Sequence, residues 1–137
     1  MAEITKSTKA SLATTLPPQN AKLSGGLFAG MALGILDACY VKASDGLVYK
    51  SSGASANAAA KVRGFAARSY SLGDPVTLWR GPVTVLYADA SGMTTANNLF
   101  LSGTVAGGLA DAASTGGTAP IGWAINDQMA ELYASNY

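Results

Sequence analysis

A chain of 137 residues is the size of one ordinary domain, and only 12% of its residues are charged, about half of the roughly 25% usual in soluble domains. A free monomer covers itself with charges of both signs, so this sparing use of them points to a surface partly hidden against other subunits. A net charge of +1 with no run of Lys or Arg gives no argument for a phosphate-binding face, which needs clustered cations, and nucleic acid is not an expected partner.

Residues 1–22 read as an extended N-terminal arm ahead of a single β-rich domain over 23–137. The arm is polar and small, Pro17 and Pro18 favour extended backbone, and a helix over 6–13 would have too few apolar positions to dock. Within the arm, Ile4, Leu12, Leu16, Pro17 and Pro18 are the residues worth burying on a partner. Its lysines are not followed closely by the apolar block of a secretory signal. Residues 23–36 are uncharged and carry Gly26, Gly30 and Gly34, a spacing that suits packed membrane helices. The stretch is nevertheless shorter than the ~20 residues of a bilayer span and ends at Asp37, so no membrane partner is expected. Cys39 follows within the same apolar region; alone in the chain, it reads as a small buried residue and fits synthesis in a reducing cytoplasm.

From residue 36 onward the pattern is one of short β-rich runs broken by turn residues. Cys39-Tyr40-Val41-Lys42, the Asp45-Gly46 turn and Leu47-Val48-Tyr49-Lys50 make a hairpin, because Asp-Gly supplies the positive φ of a tight reversal. Residues 51–60 read as a loop in which Asn57-Ala58-Ala59-Ala60 forms at most a helical turn. After Val62-Arg63-Gly64-Phe65-Ala66-Ala67 and the Leu72-Gly73-Asp74-Pro75 turn, two β-branched and aromatic runs, 76–80 and 83–87, flank Gly81-Pro82 as a second hairpin-like unit. The second half repeats the first. Tyr40-Val41-Lys42, Gly46-Leu47-Val48 and Arg63-Gly64-Phe65-Ala66 lie beside Phe100-Leu101-Ser102, Gly108-Leu109-Ala110 and Ile121-Gly122-Trp123-Ala124, which predicts an internal duplication. Glycine within each repeated strand permits a bend or the close approach of a neighbour in a small barrel. Phe65 and Trp123 are expected to anchor the cores of two related sheets. Trp79 and Tyr87, with Arg80 nearby, are assigned to the core or to a subunit interface.

The chain contains no histidine, the commonest general base and metal ligand, and no catalytic, metal or cofactor site is expected. Asp37, Asp45, Asp74, Asp89, Asp111, Asp127, Glu3 and Glu131 lie mostly in turn contexts, where carboxylates cap backbone groups. A hydrolase using Ser44 or Ser51 with Lys42 or Lys50 is the remaining enzymatic option. Ser24-Gly25-Gly26-Leu27 lacks the lysine that follows a phosphate-cradling loop.

The strand ending near Tyr40, the Asp45-Gly46 turn, the Gly64-Phe65-Ala66 strand and the Leu72-Gly73-Asp74-Pro75-Val76 turn resemble the capsid decoration, or cement, proteins of tailed bacteriophages. Leu99-Phe100-Leu101 and Pro120-Ile121-Gly122-Trp123-Ala124 use the same grammar again. The resemblance covers roughly residues 30–126; the longer arm and the aromatic block at 79–87 depart from it. It implies a compact β-barrel or β-sandwich, often a trimer, that clamps neighbouring major capsid protein subunits on the outer surface of the virion. The other classes left open are a head-fibre, tail or glycan-binding surface protein, with Trp79, Tyr87 and Tyr133 as an exposed platform, and the lysine-dependent hydrolase.

Overall fold

The computed structural model describes residues 3–12, 22–23 and 27–135. The strands among them are β1 (Glu3–Ile4), β2 (Lys6–Leu12), β3 (Lys22–Leu23), β4 (Ala38–Val41), β5 (Val48–Lys50), β6 (Gly64–Ala66), β7 (Leu78–Trp79), β8 (Val83–Ala88), β9 (Asn98–Leu101), β10 (Leu109–Ala110), β11 (Gly122–Ala124) and β12 (Met129–Leu132). One 3₁₀ turn, Ala58–Ala60, is capped by the Asn57 side chain, which accepts from the Ala59 N–H. The protein is nearly all-β, with a nearly closed, barrel-like sheet of seven strands and a second sheet of five.

The five-stranded sheet runs β3-β7-β6-β4-β5, and the larger sheet contains β8-β12-β11-β9-β10 in the corresponding order. Two successive five-strand units therefore share one topology, the first being β3 to β7 and the second β8 to β12. The register agrees: Cys39 opposes Gly64 as Leu99 opposes Gly122, and Val41 opposes Val48 as Leu101 opposes Leu109. Bonds outside the ladders match as well. Leu36 N–H donates to Ala66 O, and Ala96 N–H to Ala124 O, both at 2.7 Å. Leu36 and Ala96 are two of the few non-glycine residues with positive φ, at 61° and 69°. The predicted duplication is thus visible in the backbone, with one adjustment: Leu109 corresponds to Val48, so the returning strand slides by one residue from the sequence alignment.

Gly64 and Gly122 are glycine for the same reason. A Cβ on Gly64 would lie 2.7 Å from Leu78 Cβ and 3.0 Å from Trp79 O; on Gly122 it would lie 2.5 Å from Glu131 O and 2.8 Å from Leu132 Cδ2. In each unit the neighbouring strand backbone occupies the space a side chain would need.

Trp79 corresponds to Glu131 in these ladders, and β7 and β8 belong to different sheets. The predicted hairpin across Gly81-Pro82 is therefore corrected. Pro82 has no N–H to close a ladder, and Gly81, at φ +83° and packed where a Cβ would meet Leu132 O, turns the chain into the other unit. The Asp45-Gly46 hairpin forms as expected, with Gly46 at φ +72° and Tyr40 opposite Tyr49.

Residues 3–12 depart from the reading of residues 1–22 as one arm ahead of the body. β1 pairs with β10 and β2 with β8, so the two strands lie at opposite ends of the seven-stranded order with only Thr5 between them. One segment thereby draws both ends of the sheet together. Ile4, Ser7 and Ala10 are buried, and Ile4 and Ala10 pack into the main core beside larger side chains such as Tyr87 and Leu109. The main core joins Ile4 and Ala10 with residues of both units, and a smaller one belongs to the first unit, including Leu33, Cys39, Val48 and Leu78.

Candidate interaction surfaces

In the first unit the row Ala38, Phe65, Trp79 runs across three paired strands and is buried in the main core. The corresponding row in the second unit is Asn98, Trp123, Glu131. It faces outward, with Trp123 37% exposed and its Nε1 donating to Glu131 Oε1 at 3.4 Å. Phe65 is a core anchor as expected and Trp123 is not, because the second sheet presents to solvent the face that the first buries.

Trp79 and Tyr87, predicted as core or interface, are 8% and 1% exposed. Burial pushes the Tyr87 phenol up, with Asp37 and Glu3 adding to it. An exposed platform of Trp79, Tyr87 and Tyr133 is therefore not assembled; of the block at 79–87 only Arg80 and Pro82 are exposed. Trp79 Nε1 is buried without a hydrogen-bond partner among the described residues. Of the predicted arm residues, Ile4 is in the core, Leu12 opposes Val85 on β2, and Leu16, Pro17 and Pro18 lie outside the described residues.

The side chains that fix the N-terminal strands were not singled out in sequence for that purpose. Glu3 accepts from Ser102 Oγ at 2.6 and 2.7 Å and from Thr104 Oγ1 at 2.5 Å. Lys6 Nζ donates to Asp37 Oδ1 and to Ile35 O, each at 2.5 Å. Asp37 also faces Lys50 at 3.6 Å and accepts from Gly34 N–H at 2.7 Å. A buried carboxylate needs such partners to offset its lost hydration. The break from apolar residues to Asp37 was the sequence signal, but its partners come from strands far away in the chain.

Of the residues considered for hydrolysis, Ser51, Lys50 and Lys42 have partners elsewhere, and Ser44 is exposed. Ser51 Oγ donates to Lys61 O at 2.7 Å, Lys50 faces Asp37, and Lys42 Nζ stands 5.0 Å above the Tyr49 ring. The Tyr49 hydroxyl donates to Asp45 at 2.6 Å, holding that carboxyl below its ordinary value, with the Leu47 N–H adding to the effect. Cys39 is buried, and desolvation, followed by the charge of Asp37, pushes its thiol up to about 12. A shallow groove of about 330 Å³ is lined by glycine, alanine, serine and threonine, among them Gly53, Thr104 and Ser114. These side chains offer neither charge nor a strong base.

An outward apolar surface belongs to the first unit. Phe28 opposes Pro75, and Gly73 N–H donates to Ala29 O, so the segments carrying Phe28, Leu72 and Pro75 are bonded side by side. Phe28 and Leu72 are 46% and 70% exposed, forming an apolar ridge where two backbones are already tied together. No helix of the described residues is long and apolar enough to cross a membrane.

Compared with protein-family models, curated proteins and solved structures, the chain matches none.

Proposed function

We propose that this chain is a structural virion protein that sits on the outer surface of a phage capsid and stabilises contacts between major capsid protein subunits. The observation that carries the reading is the exposed ridge of Phe28, Leu72 and Pro75, on a chain with few charges to keep such a surface solvated. The Leu72-to-Val76 turn that forms part of this ridge also belongs to the pattern that resembles decoration proteins. Burial of a large apolar side chain contributes about 1.5–3 kcal/mol, too little for tight binding by one copy but enough for many copies acting on a repeating lattice. In this reading the protein works by covering surface, without chemistry or cofactor, as a homo-oligomer with a trimer favoured. It is made in the bacterial cytoplasm and joins the head there.

The test is binding of the purified protein to expanded heads stripped of surface proteins. Saturable occupancy, lost in a Phe28→Asp/Leu72→Asp variant with unchanged circular dichroism, is the expected result. Heads that acquire no copies, or equal occupancy by the variant, would remove the proposal.

A further inference from the structure

The five strands of the second unit are completed by residues that precede the first. In the first unit, nearby residues do the comparable work: Gly30 N–H donates to Val48 O on β5, while Leu33 and Tyr70 exchange two backbone bonds at 2.9 Å. The second unit instead receives β1 and β2 from the N-terminus. Between β10 and β8 it therefore has a strand-accepting cleft, whose polar readers are fixed by the body of the fold. Ser102, itself fully buried, and Thr104 meet a carboxylate; Asp37 and the Ile35 carbonyl meet an ammonium; the main core takes the apolar side chain between them. Glu3-Ile4-Thr5-Lys6 supplies that pattern once in the sequence.

We propose that this cleft is an exchange site between copies, in which β1 and β2 of one molecule complete the second unit of a neighbour. The contacts made by a donated segment are the same within one copy and between two. The choice is then set by local concentration and by the connection. Residues 13–21 join β2 to β3 in sequence, a length that spans at most roughly 35 Å, enough to let the segment reach a neighbouring copy. Crowding of copies on any repeating surface shifts the balance toward exchange. The site does not depend on what that surface is, so its failure leaves the capsid reading untouched.

Ser11 and Leu86 are directly paired across β2 and β8, a separation that a disulfide can span. Cys39 is buried and serves as an unreactive background. Copies carrying Ser11→Cys alone are co-refolded at high concentration with tagged copies carrying Leu86→Cys alone, then oxidised and run on a non-reducing gel. The expected result is a disulfide-linked heterodimer, with Ser11→Cys plus the exposed Val105→Cys giving none. A heterodimer no more abundant than that control, while the Ser11→Cys/Leu86→Cys double variant closes fully within single copies, would overturn exchange. As a second measure, a chain lacking residues 1–12 is titrated with a synthetic peptide of those residues. Saturable binding is expected, weakened at least about tenfold by Lys6→Ala in the peptide; a folded truncated chain that does not bind, or binds both peptides alike, also counts against the site. If truncation prevents folding, the cross-link decides.

Discussion

The two five-strand units share strand order, register and even a positive-φ residue at the same place, Leu36 and Ala96, yet the row Ala38-Phe65-Trp79 is buried and its counterpart Asn98-Trp123-Glu131 is wet. Topology is therefore held by features that do not depend on which face is covered: the bare glycines Gly64 and Gly122 and the loop bonds around Leu36 and Ala96. Side-chain identity then follows the surroundings, apolar where the first unit meets the second and mixed where the second meets solvent. Repetition of a backbone plan does not carry repetition of environment with it.

Truncating the two aromatics should separate the units most sharply. Phe65→Ala should cost about 3–5 kcal/mol, as expected for a fully buried ring, whereas Trp123→Ala should cost about 1 kcal/mol; urea unfolding followed by circular dichroism measures both. Equal losses would mean that the outer face of the second unit is covered in solution.

Asp37 and Asn97 occupy equivalent places, each carbonyl accepting from the Ala of its own Gly-aromatic-Ala strand, Ala66 and Ala124. Asp37→Asn should lose about 2–4 kcal/mol, since Lys6 and Lys50 would then face each other without their shared anion. The reverse change at exposed Asn97, Asn97→Asp, should stay within about 0.5 kcal/mol.

Gly64→Ala and Gly122→Ala should behave as a matched pair, each losing about 1–3 kcal/mol from forced overpacking. A clear difference between their urea midpoints would show that one neighbouring strand yields and the other does not.

The smallest expected effect concerns Cys39, whose counterpart is Leu99. The folded thiol titrates near 12 against an ordinary value of 9.0. Above pH 9 the unfolded chain releases a proton that the folded chain retains, so stability is fully present below pH 9 and declines as pH rises toward 12, by at most about 1.4 kcal/mol per pH unit. Cys39→Ala should reduce the slope of the decline between pH 9 and 10, leaving the part that the buried Tyr87 phenol contributes as pH approaches 10. Native protein at pH 8 should also resist thiol reagents until urea is added.

Much of this architecture was legible in order of the chain. Asp45-Gly46 announced its hairpin through the backbone conformation glycine allows, and the Gly-aromatic-Ala strands announced the duplication. What escaped was relational. Ser7 and Ala10 look like surface residues because the strands that bury them, β8 and β10, lie far along the chain, so the N-terminal strands passed for a free arm. Phe65 and Trp123 are indistinguishable in local pattern, because the difference lies in what packs outside each sheet. Glu3, Lys6 and Asp37 were visible only as separate charges, since Glu3 and Ser102 meet across most of the chain. The exposed ridge is similar: Phe28 and Leu72 are remote in sequence and adjacent only through the bonds around Ala29 and Gly73.

The position of β1 and β2 at the two ends of one sheet has a consequence for handling and degradation. Unpaired strands invite further strands to add, the first step toward fibrous or amorphous precipitate. Because a single N-terminal segment masks two such margins, its loss would bare both together. Trimmed material should then fail first by clumping in the tube, well before its remaining strands lose their fold.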